Sequence, residues 1–136
     1  MILNKECDYA FRILRTLSGG YKKTVEDICS SEMIPKPYAY KLLKKLEYAG
    51  FLQSIRGRDG GYRLIRNAKD FTIYDVIVVI NKDFVLNECL VEGGICNRME
   101  EEGKENCKFH VRLQELQDDF VAELKKYNIA EILQKP

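Results

Sequence analysis

The chain has 136 residues, 46% of them hydrophobic and 32% charged, which suffices for one packed core and one protruding element. It contains no run of roughly 18 apolar residues and no secretory-signal pattern, so we expect a cytoplasmic protein rather than a membrane-spanning or exported one. The net charge is +1, but residues 1–69 carry 14 Lys and Arg against 7 Asp and Glu, whereas residues 70–136 carry 8 against 14. Many small proteins have uneven halves, yet a basic half also suits a surface that faces a polyanion.

Apolar residues spaced three and four apart predict two helices near the N-terminus. The first covers residues 8–17 and ends at a pair of glycines. The second covers residues 25–30, and Thr24 and Asp27 have the spacing of a capping box at its start.

A third helix opens at Pro35 and Pro37, where a preset φ angle and a missing N–H are tolerated, and runs to about Ala49. Its apolar side chains share one face and comprise Ala39, Leu42, Leu43 and Leu46. Because a tight turn joins this helix to the previous one, the pair predicts a helix-turn-helix.

A β-hairpin is predicted directly after the third helix. Residues 51–56 and 62–65 alternate as short strands on either side of a glycine-rich tip. We expect Gly60 and Gly61 to meet backbone requirements of the hairpin and not to contact a ligand. A hairpin in this position is typical of a wing.

The second half of the chain predicts a helix over residues 72–81, an irregular loop over residues 87–109 and a last helix over residues 113–127. The last helix has a narrow apolar seam on a charged background, which is typical of a dimerisation helix. The fold class is therefore mainly α with a small β wing, a winged helix-turn-helix plus a long C-terminal dimerisation helix. The predicted segments are a DNA-binding domain over 1–82, a cysteine loop over 83–110, and a dimerisation helix with its tail over 111–136.

Cationic side chains predict double-stranded DNA as the partner. Lysines on any helix surface can simply be solvated, but here two separate elements are cationic, which favours nucleic acid. A helix can reach base edges in the major groove, and arginines in a thin tip are favoured in the minor groove. The candidate DNA-binding residues are Lys36, Tyr40, Lys41 and Lys44, with Lys45 beside them, and Arg56 and Arg58, with Arg63 beside them.

The five cysteines are an odd number, which disfavours a disulfide framework. Cys89, Cys96 and Cys107 follow the pattern C-x6-C-x10-C, and His110, the one histidine, comes three residues later. Thiolates in an adaptable loop can hold a metal or an iron–sulfur cluster, although isolated cysteines are often small core residues. We expect Cys29 to be a packing residue, whereas Cys7 could serve either role.

Motifs over nearly the whole chain resemble the Rrf2 family, which includes the iron–sulfur-cluster assembly repressor and the nitric-oxide-sensing repressor. The stretch from Ile34 to Leu64 is the most specific part. The residues that carry the resemblance are Asp8-Tyr-Ala-Phe-Arg-Ile-Leu, Ile34-Pro35, Tyr38, Leu42-Leu43, Leu46, Ala49-Gly50, Ser54-Ile-Arg56-Gly57, Gly60-Gly61-Tyr62-Arg-Leu64 and Tyr74-Asp75-Val76.

The resemblance implies a homodimer that regulates transcription, as a repressor in most cases, at palindromic operators. It implies that Tyr40 and Lys41 read bases and that Arg56 enters the minor groove, although Tyr40 replaces an acidic residue of the cluster assembly repressor. It also implies a [2Fe-2S] or [4Fe-4S] cluster on the three loop cysteines, with His110 or the partner subunit's Asp8 as fourth ligand. The second gap between cysteines is longer here than is usual in the family, so the cluster type stays open.

The sequence thus predicts a homodimeric DNA-binding regulator that is gated by an iron–sulfur cluster sensing a redox signal. The alternative is a cluster-free winged-helix regulator that a protein partner or thiol oxidation controls. An enzyme is disfavoured, because the chain has one histidine, no nucleophile motif and no phosphate-binding glycine loop outside the wing.

Overall fold

The computed structural model describes residues 3–94, 96 and 103–133. The predicted helices and strands occur in the predicted order, and a short helix that was not predicted follows them at Ile129–Ile132. Short 3-10 turns lie at Ala68–Asp70, Glu88–Leu90 and Lys104–Asn106. No helix among the described residues is long and apolar enough to cross a membrane. The bounds are α1 Lys5–Leu17, α2 Val25–Glu32, α3 Lys36–Tyr48, β1 Leu52–Ile55, β2 Gly61–Leu64, α4 Ile73–Ile80, α5 Lys108–Leu124 and α6 Ile129–Ile132.

The first two helices begin where side chains cap them. Helix α1 starts three residues before the predicted position, because the side chain of Asn4 accepts a hydrogen bond of 2.9 Å from the backbone N–H of Cys7. The predicted capping box of α2 is confirmed, since Thr24 and Asp27 each accept the other's backbone N–H, at 3.1 and 3.2 Å. Helix α2 continues two residues beyond the predicted end and stops at Met33, which has a left-handed φ of 56°.

The core lies between α1, α2, α3 and α4. The apolar face predicted for α3 is fully buried, and Phe51, at the start of the hairpin, packs on Phe71 with ring centroids 4.7 Å apart. Each large apolar side chain buried in this way stabilises the fold by about 1.5–3 kcal/mol. The fully buried large side chains are Phe51, Phe71, Ile13, Leu14, Leu17, Ile28, Leu42, Leu43, Leu46, Leu52, Ile77 and Ile129.

The hairpin is antiparallel, and its second strand is attached to the loop before α2. Tyr62 exchanges backbone hydrogen bonds of 2.8 and 3.0 Å with Lys23, so that Lys23 acts as a one-residue third strand. A Cβ on Gly61 would lie 2.5 Å from the carbonyl oxygen of Lys23, and one on Gly60 would lie 2.7 Å from that of Ile55. The prediction that both glycines meet backbone requirements is confirmed.

The long C-terminal helix is present, but its predicted bounds were wrong at both ends. Helix α5 begins at Lys108, inside the predicted irregular loop, and ends at Leu124, so Tyr127 lies beyond it. The backbone N–H of Ile129 then bonds to the carbonyl of Phe71 at 2.9 Å, which returns α6 to the core of the first domain. The division at residues 82 and 110 stays a prediction.

One buried amide joins α5 to the segment that follows α4. Gln117 is 8% exposed, and it is the one buried polar side chain among the residues that the structure describes. Its Oε1 accepts the N–H of Leu86 at 2.9 Å, and its Nε2 donates to the carbonyl of Phe84 at 3.0 Å. The ring of Phe84 packs on Phe120, with centroids 5.8 Å apart, so apolar and polar contacts fix α5 at the same place.

Replacing Gln117 by leucine is expected to lower the free energy of unfolding by about 1–3 kcal/mol, because the N–H of Leu86 and the carbonyl of Phe84 lose their partner. Urea denaturation monitored by circular dichroism measures this loss. The control is Gln114→Leu, since Gln114 is exposed and bonds only to Asp118 among the described residues. Equal denaturation midpoints for the two variants would contradict the role of Gln117.

Candidate nucleic-acid interface

Helix α3 offers one polar face to the outside. Because its apolar side chains are buried, Lys36, Tyr40 and Lys44, spaced by four residues, form the opposite stripe. Tyr40 is 45% exposed, and both lysines are exposed. The structure therefore brings three of the predicted DNA-binding residues onto one surface.

Lys41 and Lys45 form a second stripe, and both contact Glu6 in the first turn of α1. The Nζ of Lys41 lies 2.5 Å from Glu6 Oε1, and the Nζ of Lys45 lies 3.6 Å from Oε2. Lys45 also approaches the carbonyl oxygen of Ile80 at 3.4 Å. The hydrogen bond from Lys41 lowers the pKa of Glu6 below its usual value, so this carboxylate is ionised at neutral pH.

The remaining candidates differ in whether an acidic side chain lies close to their charge. Lys36 lies 3.6 Å from Glu26, and both side chains are more than half exposed, so water screens this pair. Lys44, Arg56 and Arg58 make no ion pair or side-chain hydrogen bond with the part of the chain that the structure describes. Their charges are available to an external anion.

A side-chain hydrogen bond joins the wing to α3. Ser54 in β1 donates a 2.7 Å hydrogen bond from its hydroxyl to Glu47 near the end of α3. Tyr62 in β2 is partly buried, and this burial raises the pKa of its phenol, with smaller contributions from Glu47 and Tyr40. Arg63 lies on β2, with its guanidinium 3.5 Å from Gln53.

The turn between α2 and α3 is attached to α1 through Glu32. Its carboxylate accepts hydrogen bonds from Arg15 and from the hydroxyl of Thr16, the latter at 3.1 Å, and its backbone carbonyl accepts one from Arg12 at 3.1 Å. The hydrogen bond from Arg15 lowers the pKa of Glu32. These contacts hold the end of α2, directly before the turn into α3, against α1.

The cysteine loop is described at its three cysteines and at His110. Cys89 lies in the 3-10 turn Glu88–Leu90, where its sulfur accepts a hydrogen bond of 3.5 Å from the side-chain amide of Asn87. Cys107 is the N-cap residue of α5, and its side chain makes no capping bond. All three loop cysteines are free and partly buried.

The structure does not bring the predicted ligands together. Within residues 3–94, 96 and 103–133, no three His, Cys, Asp or Glu side chains are close enough to hold a metal ion. The chemistry of the donors nevertheless suits an iron–sulfur cluster. In addition, the Nδ1 atom of His110 is buried without a hydrogen-bond partner in the described part of the chain, which is a costly state for a polar atom.

The other candidates have structural partners. Cys7 is fully buried, and burial raises the pKa of its thiol, so it is a neutral packing residue. Cys29 is partly buried against the core, and its thiol pKa is raised by the same cause. Asp8 forms an ion pair of 2.9 Å with Arg12, one helical turn away.

Sequence reasoning missed Glu6. An acidic residue near the N-terminus gives no local signal that it will meet Lys41, which is 35 positions away. Only the packing of α1 against α3 reveals the contact.

Comparisons with known proteins agree with this geometry. The chain matches, over residues 3–135, the family model described as "Rrf2: Iron-dependent Transcriptional regulator". The chain belongs to the Rrf2 family. It is 29% identical to the protein aau3 of Rhizobium meliloti, over 98% of this chain and 85% of that protein. It is 32% identical to the transcriptional regulator NsrR of Bacillus subtilis, over 65% of this chain and 63% of that protein.

Solved structures support the Rrf2 fold. The cysteine regulator CymR of B. subtilis has a TM-score of 0.71 at 21% identity, covering 96% of this chain and 94% of that one. IscR of T. potens has a TM-score of 0.67 at 20% identity, covering 96% and 84%. The predicted fold class is confirmed, and this Rrf2 protein is a DNA-binding transcriptional regulator.

Replacing Glu32 by glutamine is expected to lower the free energy of unfolding at neutral pH by about 1 kcal/mol, because Arg15 loses a charged acceptor. Since the pKa of Glu32 is lowered in the folded state, its stabilisation is present above its ordinary value of 4.5 and is lost as the pH falls below it. The difference between wild type and variant should therefore shrink in acid, as thermal denaturation across pH would measure. The control Glu26→Gln alters an exposed pair and should have little effect; a constant difference for Glu32→Gln at every pH would contradict the prediction.

Proposed function

We propose that this Rrf2-family regulator binds a palindromic operator as a homodimer and represses transcription. The observation that carries this proposal is a set of cations that have no ionic partner among the described residues and lie on two separate elements, Lys44 on α3 and Arg56 and Arg58 at the wing tip. The hydrogen bond between Ser54 and Glu47 couples the two elements, so one rigid unit can face adjacent grooves. Free cations in this arrangement suit the phosphates of duplex DNA.

The stripe on α3 is suited to the major groove. Lys36 and Lys44 would contact phosphates or guanine acceptors, and Tyr40 between them would contact base edges through its ring and hydroxyl. Lys41 would join them with the donors that Glu6 leaves free. Arg56 and Arg58 would lie in or beside the minor groove, where the negative potential favours guanidinium groups.

Exposed apolar side chains support dimerisation through α5. Phe109 is 65% exposed, and Leu116, which belongs to the same apolar seam as Phe120, is 41% exposed. Phe120, further along the helix, packs on Phe84. A second copy of α5 would cover Phe109 and Leu116. A two-fold dimer would place two α3 helices about 34–36 Å apart, or a multiple of that distance, along the operator.

An iron–sulfur cluster on the cysteine loop is proposed as the regulatory group, supported by the family's description as iron-dependent. Cys89, Cys96 and Cys107 would supply thiolates, and His110 is the better fourth candidate because its Nδ1 atom is buried and has no hydrogen-bond partner among the described residues. The partner subunit's Asp8 is the alternative; in this structure the same residue is already paired with Arg12. When bound, the cluster would supply a redox-sensitive and oxygen-sensitive group of thiolate-bound iron.

The chain's own residues suggest how the loop could affect DNA binding. Cys107 directly precedes α5, and Gln117 and Phe120 of α5 contact the segment after α4. A change in the loop would therefore shift the pose of α5 relative to the DNA-binding helices. DNA affinity changes only if the two poses bind the operator unequally.

A second candidate is a cluster-free regulator that a protein partner or thiol oxidation controls. The observation in its favour is that the described cysteines do not converge on a metal-sized group. The visible absorption spectrum of protein purified without oxygen distinguishes the two candidates.

Lys44→Ala and Arg56→Ala should each weaken binding to duplex DNA, and the slope of log affinity against log salt should become shallower by about 0.9 per lost phosphate contact. Fluorescence anisotropy over a range of salt concentrations provides the measurement. The matched control is Lys69→Ala, which removes an exposed lysine from the turn Ala68–Asp70 and should leave the affinity almost unchanged. Wild-type affinity and salt slope in both test variants would refute the proposed interface.

Protein purified without oxygen should show the visible sulfur-to-iron charge-transfer absorption of an iron–sulfur cluster. Cys89→Ala should lose this absorption, and His110→Ala should alter or weaken it, whereas Cys29→Ala should keep it because Cys29 packs against the core. A colourless wild-type protein after anaerobic reconstitution would favour the cluster-free candidate. Cluster loss in Cys29→Ala as well would mean that the absorption does not report the loop.

A further inference from the structure

Glu6 is held in place against the DNA-facing helix. The side chain is 22% exposed and lies in the first turn of α1, beside the fully buried Cys7. Asn4 caps this turn, so the backbone that carries Glu6 is fixed. A carboxylate anchored in this way can orient the lysines that contact it.

The contact changes what Lys41 can offer to DNA. An ammonium group has three N–H donors, of which Glu6 engages one. The side chain of Lys41 stays 53% exposed, so its remaining donors can still reach an acceptor outside the protein. Its charge, however, is largely balanced by the ionised carboxylate of Glu6, whose pKa the hydrogen bond from Lys41 lowers further.

A lysine whose charge is neutralised by a nearby carboxylate acts differently on DNA from a lysine without such a partner. Sequence-independent binding comes from free cations that displace the counterions of phosphates. Sequence-dependent binding comes from donors held at a defined position against base edges. A lysine paired with a fixed carboxylate keeps N–H donors in a defined direction, but it contributes little to the sequence-independent attraction to phosphates.

We infer that Glu6 is a positioning residue that converts Lys41, and in part Lys45, from free cations into oriented donors. It thereby lowers affinity for DNA of arbitrary sequence and raises discrimination in favour of the operator. This inference rests on the proposed role of α3 as the DNA-facing helix. Lys44, which lacks such a partner among the described residues, supplies the sequence-independent attraction on the same helix.

The test is the binding of Glu6→Gln to a short duplex of mixed sequence and to a genomic fragment that the wild-type protein retains. For the mixed-sequence duplex, affinity should rise roughly threefold for each lysine released, and the salt slope should steepen by about 0.9 for each. The ratio of the two affinities should fall. Glu6→Asp keeps the carboxylate and should stay nearer to wild type in the salt slope.

A second variant keeps the inference falsifiable if Glu6→Gln does not fold, as judged by its melting temperature. Lys41→Gln in the wild-type background should leave the mixed-sequence affinity and salt slope nearly unchanged while lowering affinity for the retained fragment. A roughly threefold loss on mixed-sequence DNA with a slope shallower by about 0.9 would show that Lys41 is a free cation and would overturn the inference.

Different results would contradict the DNA-facing role of α3 and the positioning role of Glu6. If Lys44→Ala binds mixed-sequence DNA like the wild type, the DNA-facing role of α3 is wrong. If Lys44→Ala weakens binding but folded Glu6→Gln shows neither higher affinity nor a steeper slope, the interface stands and the role of Glu6 is wrong.

Discussion

The burial of one face of α3 determines what the rest of the molecule can present to a partner. Leu42, Leu43 and Leu46 are inaccessible to solvent between α1, α2 and α4, so the helix cannot rotate without exposing them. The opposite face is therefore fixed as the polar one. The same packing brings the first turn of α1 beside α3, which places Glu6 against lysines that would otherwise be unpaired.

Features that depend on neighbouring residues were predictable from the sequence. The capping box at Thr24 and the close approach at Gly60 follow from local backbone chemistry, and the structure has both. The periodicity of the last helix was less informative. Its apolar spacing continues to Tyr127, although the helix has already ended at Leu124, because a pattern of side chains does not record where the backbone hydrogen bonds stop.

Features that depend on packing between distant segments were not predictable. Glu6 meets Lys41 and Gln117 meets Phe84 across 35 and 33 positions, and no local pattern records the angles at which their helices cross. The cluster ligands are a different case. The spacing of the cysteines and the family resemblance define the candidate ligands. In the described residues these side chains do not lie around one point. That an iron–sulfur cluster would draw them together stays a prediction.

The wing is fastened close to its tip. Tyr62 pairs with Lys23 and Ser54 contacts Glu47, and these two wing residues face each other one cross-strand pair away from Ile55 and Gly61, which lead into residues 56–60. Changes confined to residues 56–60 would leave both attachments in place, whereas a change at Gly61 or Tyr62 would act on the attachment itself. The few residues that can vary freely in the wing are therefore those beyond its last cross-strand pair.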